Sequence, residues 1–529
     1  MNEKVSQILF LRLDFPTTKM ASAPMGSVVK FIVTLQWRTL RLRDIFTSNI
    51  PLMDHQRVGH FRNCFEISRK NLMVKNLKRL KTRIERAFGK EEGEKCNFFP
   101  TTYVLPCEHK LFIQEFRRLQ NEGALWIIKP AAGAQGKGIF IFQKFKDYLD
   151  WRQKFDTTET MESPLLSKVL STSSSKENLT PFQSPDSVTD VTVPDINPAD
   201  PEPTEPPNKE PGTFRASEVY VVQRYVEDPY LIGGRKFDIR FYVLVTSFMP
   251  LKAWIYREGF ARFSGGQFSL ESLQDIYVHL TNIAIQRTSE DYNPEKGSKW
   301  SLRSLREYLT ARHGRDEVQK LMNSIDNIIV RTLQSAHQLV VQDRHCFEIY
   351  GFDVIIDSQV RPWLLEVNAS PAFTPSNEED YRLKCAIIDD TVHVLDLENR
   401  LTGYEKRIGG YDLFWNDGPV YANPGDCGHS CGIDNGPKLN SFLGCLNDRI
   451  LQLRQIFRNA HFLKETQHIL SSPNFSTLPA TSSEQQSQGK NKKDYRFRVP
   501  NDGGGGNTGR SARRKQCDAL KIVGSSVMR

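Results

Sequence analysis

The chain has 529 residues, of which 39% are hydrophobic and 25% charged, with a formal net charge of +9. Those values fit a packed core diluted by segments that cannot pack. No apolar run approaches the ~18 residues of a membrane span. The short runs Ile8–Leu13 and Val28–Leu35 carry Arg12 and Lys30, so neither reads as a signal peptide. A membrane protein, a collagen and a wholly disordered chain are excluded. Nine scattered cysteines make no disulfide framework and agree with a reducing compartment. Cys427 and Cys431, with His429 between them, lack the second pair that a zinc site of this type needs. The positive charge suggests an acidic partner.

In chain order, residues 1–53 form an atypical N-terminal segment. Residues 54–156 open the folded core. There Met73, Leu77, Leu80, Ile84 and Phe88 recur at helical spacing from Ser68 to Lys90, with Lys75, Lys78, Arg79, Lys81, Arg83 and Arg86 between them. This amphipathic helix has a basic outer face, which fits either a solvated surface or a face for an acidic partner. Trp126–Ile128 reads as a strand running into Lys129-Pro130. A Gly-rich turn from Gly133 to Gly138 and a second strand, Ile139–Phe142, follow. Thr157–Thr213 holds ten prolines and no hydrophobic period, so it reads as a disordered insertion.

Order resumes in residues 214–419 with the strand Val219–Val226 and the long strand Phe237–Val245. Alternation puts Phe237, Ile239, Phe241, Val243 and Val245 on one face of the latter and Asp238 and Arg240 on the other. Leu251–Arg257 reads as its hairpin partner, with Arg257 and Arg262 following on that partner. Ser301–Leu339 reads as mostly helical, with Val318, Leu321, Ile325, Ile328 and Ile329 on one stripe. Strands Gly351–Ile356 and Pro362–Val367 complete a sheet. After Pro419 the chain is expected to fade into loops, so that 420–529 is a mostly disordered tail. The class is α+β or mixed α/β.

Three constellations carry chemistry. Glu366 and Asn368 lie two apart on a strand and so project from one face, and a hairpin places Asp353 beside them. Two carboxylates and an amide oxygen suit Mg²⁺ that takes further oxygens from phosphate. A sheet edge with polar ends is the alternative. Lys129 and Lys137 flank a glycine-rich loop whose N–H groups can approach an anion. That loop is neither a Walker P-loop nor part of a protein kinase set. Arg235, Lys236, Asp238, Arg240, Arg257 and Arg262 form a basic strand pair, suited to polyphosphate and a carboxylate substrate or to internal Asp–Arg pairing. Together these features suit a ligase that phosphorylates a carboxylate and lets an amine attack the acyl phosphate. Such a reaction needs no protein nucleophile.

Lys129-Pro, Gln135-Gly-Lys-Gly-Ile, Gly234-Arg-Lys-Phe-Asp-Ile-Arg240, His279-Leu-Thr-Asn282 and Trp363-Leu-Leu-Glu-Val-Asn-Ala-Ser-Pro371 resemble, in this order, the tubulin tyrosine ligase-like family. Leu231–Asp238, His345–Asp353 and Gly410–Pro419 favour its glutamylase branch. The resemblance spans roughly Asp54–Pro419 and implies an ATP-grasp fold with small N-terminal and central lobes and a larger catalytic lobe. It implies ATP contacts at Lys129, Gln135, Gly136, Gln223, Arg224, Tyr225, Val226, Lys236, Phe237, Asp238, Thr281 and Asn282, and magnesium at Asp353, Glu366 and Asn368. By the same resemblance Arg262 and Lys299 read free glutamate and Gln135 lies near the acceptor protein; Arg240 joins this catalytic group from the basic strand.

The implied reaction forms an isopeptide bond between a tubulin-tail γ-carboxylate and the amine of L-glutamate, with ADP released. The implied partners are acidic tubulin tails on microtubules and glutamylase-complex subunits. Neither nucleic acid nor membrane is expected, and the implied location is the cytoplasmic cytoskeleton, with the cilium axoneme or basal body. A glycine ligase of the same family and a non-catalytic microtubule scaffold are the alternatives. Met1–Pro51, the Thr157–Thr213 insertion and the Asn474–Arg529 tail depart from the family pattern.

Overall fold

A computed structural model describes residues 52, 54, 56–133, 136–161, 219–289, 299–423 and 438–470. Met1–Pro51, most of the Thr157–Thr213 insertion, Gln135, the Cys427–Cys431 pair and the Asn474–Arg529 tail lie outside the described residues.

The first long element is helix α1 (Lys70–Phe88), which buries Met73, Val74, Leu77, Leu80 and Ile84. The expected period therefore faces the core, and the basic residues between lie outward or half-covered. A four-stranded antiparallel sheet follows, from β1 (Thr102–Leu105), β2 (Trp126–Pro130), β3 (Phe140–Phe142) and β4 (Tyr220–Arg224), in the order β1-β4-β2-β3. One face packs Trp126, Phe142 and Tyr220 against Phe112 and Phe116 of α2 (His109–Leu119) and Tyr148 of α3 (Phe145–Met161). Helix α3 runs five residues into the segment expected to be disordered. The other face, with Ile127, Ile141 and Tyr225, meets Phe268 and Leu273 of the larger unit.

That unit is built on a second antiparallel sheet. Its strands are β5 (Leu231–Ile232), β6 (Arg235–Phe248), β7 (Leu251–Tyr256), β8 (Phe260–Phe263), β9 (Lys299–Ser301), β10 (Glu348–Ile356), β11 (Pro362–Asn368), β12 (Arg407–Ile408) and β13 (Tyr411–Asn416). The order is β11-β10-β6-β7-β13-β12, while β8 pairs with the first half of β6 and β9 with β8. Alternation along β6 holds: Phe237, Ile239, Phe241, Val243 and Val245 face a core shared with α1, α4 (Leu302–His313) and α5 (Arg315–Ala336). Tyr242 and Leu244 face a second core against Ile387 of α6 (Glu378–Leu395). The predicted long helical stretch is two helices because Gly314 adopts φ +84° and ends α4, a conformation open to glycine at no Cβ cost.

Two expectations fail here. Arg262 lies on its own strand, β8, and Arg257 leaves the hairpin to ion-pair with Asp412 at 2.8 Å, both side chains 0% exposed. Nor does the chain fade into loops after Pro419: α7 (Arg449–Leu470) follows, burying Leu453 and Ile456. Ile450, Leu453, Ile456, Ala460 and Leu463 do recur at helical spacing, a signal that the reading of this stretch as loop passed over.

Candidate active site

The register of the large sheet sets a row of charges across five strands. Arg240 on β6 faces Asp353 on β10, and Asp353 faces Glu366 on β11. Two residues before Arg240, Asp238 faces Arg262 on β8, and Arg262 faces Lys299 on β9. Period-2 alternation places all of them on one side of the sheet. On β11 that alternation needs help. Leu364 and Val367 both point into the core although they are three residues apart. The register shifts at this point, Asp353 pairing with Glu366 but Val354 with Leu364, so Leu365 is the extra residue of a β-bulge. The bulge turns Glu366 and Asn368 toward the cleft.

The cleft between the two sheets is lined by Lys70, Lys129, Gly136, Lys137, Gln223, Arg224, Tyr225, Val226, Lys236, Asp238, Arg262, His279, Thr281, Asn282, Asp353, Leu365 and Glu366. Thus most of the residues singled out from the sequence come together. Four stand off the wall. Arg240 and Asn368 reach it through Asp353: Arg240 Nη2 donates to Asp353 Oδ2 at 2.8 Å, and Asn368 Nδ2 donates to the same oxygen at 3.2 Å. Lys299 sits beside Arg262 and pairs with Asp380 at 3.0 Å. Phe237 is the exception. Its ring is fully buried in the core on the opposite face of β6, so its side chain is turned away from the cleft.

The acids are matched internally, as the alternative of Asp–Arg pairing expects. Arg262 Nε donates to Asp238 Oδ1 at 2.8 Å, and its Nη2 lies 3.0 Å from Asp353 Oδ2. Burial works to raise the Asp353 carboxyl, but Arg240 and Arg262 outweigh it and hold it at about 2. The lysines go the other way. Burial, with Lys70 nearby and Glu366 opposing, lowers Lys129 to about 8. Burial, with Lys129 adding and Asp238 opposing, lowers Lys236 to about 7. Lys236 Nζ donates to the Tyr225 hydroxyl at 2.8 Å and the His279 carbonyl at 3.0 Å; Lys129 Nζ donates to Gln223 Oε1 at 2.8 Å. Burial likewise brings Lys299 to about 8, against the pull of Asp380. Such lysines are poised to regain full charge when an anion arrives.

Residues 48–401 match the model of the tubulin-tyrosine ligase family. The chain belongs to that family. It is 50% identical over 412 residues to the probable tubulin polyglutamylase TTLL9 of Rattus norvegicus, covering 78% of this chain and 83% of that protein. It is 41% identical over 383 residues to the probable tubulin polyglutamylase ttll-9 of Caenorhabditis elegans, covering 72% and 77% of the two chains. To the probable alpha-tubulin polyglutamylase Ttll1 of Tetrahymena thermophila it is 37% identical over 408 residues, 72% and 85% of the two.

The cleft of this family member fits a nucleotide and a hard cation. Gly136 has φ +74°, and a Cβ there would lie 2.3 Å from Ile285 Cδ1, so this loop position is held to glycine. Arg224 Nη1 is buried with no hydrogen-bond partner among the described residues, a donor left over for a ligand to use. Asp353, Glu366 and Asn368 form an all-oxygen donor set once the Asn368 amide turns; at present its NH₂ also faces Glu366 Oε1 at 3.3 Å.

Reading the sequence missed Lys70. It donates to the Gly133 carbonyl at 3.1 Å and pairs with Glu366 at 3.0 Å, linking α1 to the glycine-rich loop and to β11. A signal existed: Lys70 continues the buried stripe of Met73, Leu77 and Leu80 by one helical step, where a solvated lysine would not stand. Asp380 and Lys384 of α6, which pair at 2.9 Å and fix Lys299, carried no recognisable motif.

Proposed function

We propose that this chain is an ATP-dependent, ADP-forming tubulin glutamate ligase with an ATP-grasp architecture. It would join the amine of free L-glutamate to the side-chain carboxylate of a glutamate in a tubulin tail. The observation that carries this reading is the charge row from Lys299 through Arg262, Asp238, Arg240 and Asp353 to Glu366, facing a lysine-lined nucleotide cleft. Relatives named as tubulin polyglutamylases over most of the chain support it.

In this reading Lys129 and Lys236 take the phosphates, with Gly136 allowing close backbone approach and Gln135 beside the acceptor. The end of β4 and the residues after it, Gln223–Val226, with Thr281 and Asn282, hold the base and ribose. Asp353, Glu366 and Asn368 would hold Mg²⁺, which supplies charge neutralisation on the transferred phosphoryl group. Arg262 and Lys299 present two cations to the incoming glutamate, and an acidic side chain needs one more cation than glycine does. Arg240 keeps Asp353 ionised and in place. Binding both reactants side by side supplies the catalysis, since an acyl phosphate needs only an oriented amine.

The net positive charge and the outer face of α1 suit acidic tubulin tails, and the reading extends to the microtubule cytoskeleton, with the axoneme or basal body as the proposed site. Partner subunits of a glutamylase complex belong to the same proposal. The test is incorporation of labelled glutamate or glycine into microtubules with Mg-ATP, using Glu366→Gln as the blank. Glutamate incorporated by the native chain alone supports the ligase; glycine would move it to the sister activity. Binding without incorporation would make it a scaffold.

A further inference from the structure

The other face of β10 carries a second cluster that the ligase reading does not use. Glu348 begins β10 five residues before Asp353, with opposite parity, so the two carboxylates point to opposite sides of the sheet ~16 Å apart along the strand. Glu348 is completely buried. Its Oε1 lies 2.9 Å from His60 Nδ1, and the Cys64 thiol hydrogen-bonds the same carboxylate. One donor atom from each of His60, Cys64 and Glu348 lies within 4.8 Å of the other two.

We propose that His60, Cys64 and Glu348 bind one zinc-type divalent cation, separate from the nucleotide cleft. Imidazole, thiolate and carboxylate are the ligand types zinc takes, and three protein ligands leave a fourth position for water. The surroundings are arranged as outer partners of such a site. Glu348 Oε2 is held by the Phe61 N–H at 3.2 Å and the Tyr350 hydroxyl at 3.1 Å, which leaves Oε1 for the cation. His60 Nε2 faces Ser370 Oγ at 3.4 Å, fixing the ring from its far side.

Charge matching argues the same way. The buried carboxylates Asp353, Asp412 and Asp390 each meet an arginine (Arg240, Arg257 and Arg449 respectively), Asp380 meets two lysines, and Asp326 accepts from the Ser441 hydroxyl alone among the described residues. Glu348 meets an imidazole and a thiol instead. Among the described residues, the buried carboxylate and the thiol beside it thus have the imidazole, and no arginine or lysine ion pair, for cationic compensation. A divalent cation supplies it, and Cys64 releases its proton to solvent as the metal–sulfur bond forms. The other candidate group, Asp389, Asp390 and His393, is already occupied by Arg449 on both aspartates.

The test uses the full chain, stripped with chelator and titrated with Co²⁺ and then Zn²⁺. One Co²⁺ per chain is expected, with a thiolate-to-cobalt charge-transfer band that Zn²⁺ abolishes. Cys64→Ser, a near-isosteric change, should remove that band and weaken Zn²⁺ binding by more than the roughly 10- to 100-fold that losing an outer partner costs. Its thermal midpoint in chelator should match the native chain, and Glu366→Gln should retain the band. Absence of a thiolate band in the native chain overturns the proposal. So does a band that persists in Cys64→Ser, or one that disappears in Glu366→Gln.

Discussion

Nucleotide affinity should fall steeply with pH because the cleft holds its lysines partly neutral. Lys236 is lowered to about 7 and Lys129 to about 8. At pH 7 roughly half of Lys236 and nine-tenths of Lys129 are protonated; at pH 9 roughly one in a hundred and one in ten. If a bound polyphosphate restores both to ordinary lysine behaviour, the ligand must recruit those protons. Affinity for Mg²⁺-free ATP then drops by roughly two to three orders of magnitude from pH 7 to pH 9, about 3–4 kcal/mol. The stability of the ligand-free chain responds with the opposite sign. The unfolded lysines bind more protons than the folded ones between about pH 7 and pH 10, so this contribution to stability rises with pH. The assay is calorimetric titration at pH 7, 8 and 9 in pairs of buffers that differ in ionisation enthalpy. More than one proton should be taken up at pH 8. Affinity constant across the range, or no proton uptake, would refute the assignment of these two lysines to phosphate.

Glu366→Gln should cut glutamate incorporation at least about a hundredfold while co-sedimentation with microtubules stays near native; undiminished turnover would remove Glu366 from the metal set. Arg262→Lys keeps a cation beside Asp238 and Asp353 but loses the fork, worth about 1.5–3 kcal/mol. The KM for glutamate should therefore rise about tenfold or more with little change in that for ATP, and equal shifts in both would discard its role. Arg257→Ala leaves the buried Asp412 with Arg407 at 3.3 Å as its remaining cation, far from the chemistry, so urea denaturation should show a loss of up to about 3–5 kcal/mol; a loss below about 1 kcal/mol would contradict the buried pairing.

What was legible in the sequence was what period and motif encode. The alternation of β6 separated Asp238 and Arg240 from the core residues, and the stripe of α1 oriented that helix correctly. The spacing of Glu366 and Asn368 gave their shared face, but not the bulge at Leu365 that aims it, because a bulge depends on the partner strand. Arg257 and Arg262 look alike in sequence. Only the tertiary fold sends one to a buried aspartate on β13 and the other to the cleft. Phe237 lies within a motif whose neighbours line the cleft, yet strand parity turns its ring to the core. Lys70 showed itself only as a lysine on the buried stripe of α1, and Asp380 acts on Lys299 across a long sequence separation, which no local pattern carries.

The pairing of Lys70 with Glu366, and of Arg240 and Arg262 with Asp353, gives the open cleft its own built-in counterions. On the proposed function, an acid already neutralised offers a free cation little, so a divalent ion would gain its place chiefly by arriving with the anion that draws Lys70 from Glu366. Order of loading would then follow from charge balance, with nucleotide and metal entering as one neutralising unit. The same exchange would free Lys70 from β11, and with it the tie to the Gly133 carbonyl. The first residue of the basic helix would then be a mechanical linkage between the cleft and the outer face of α1.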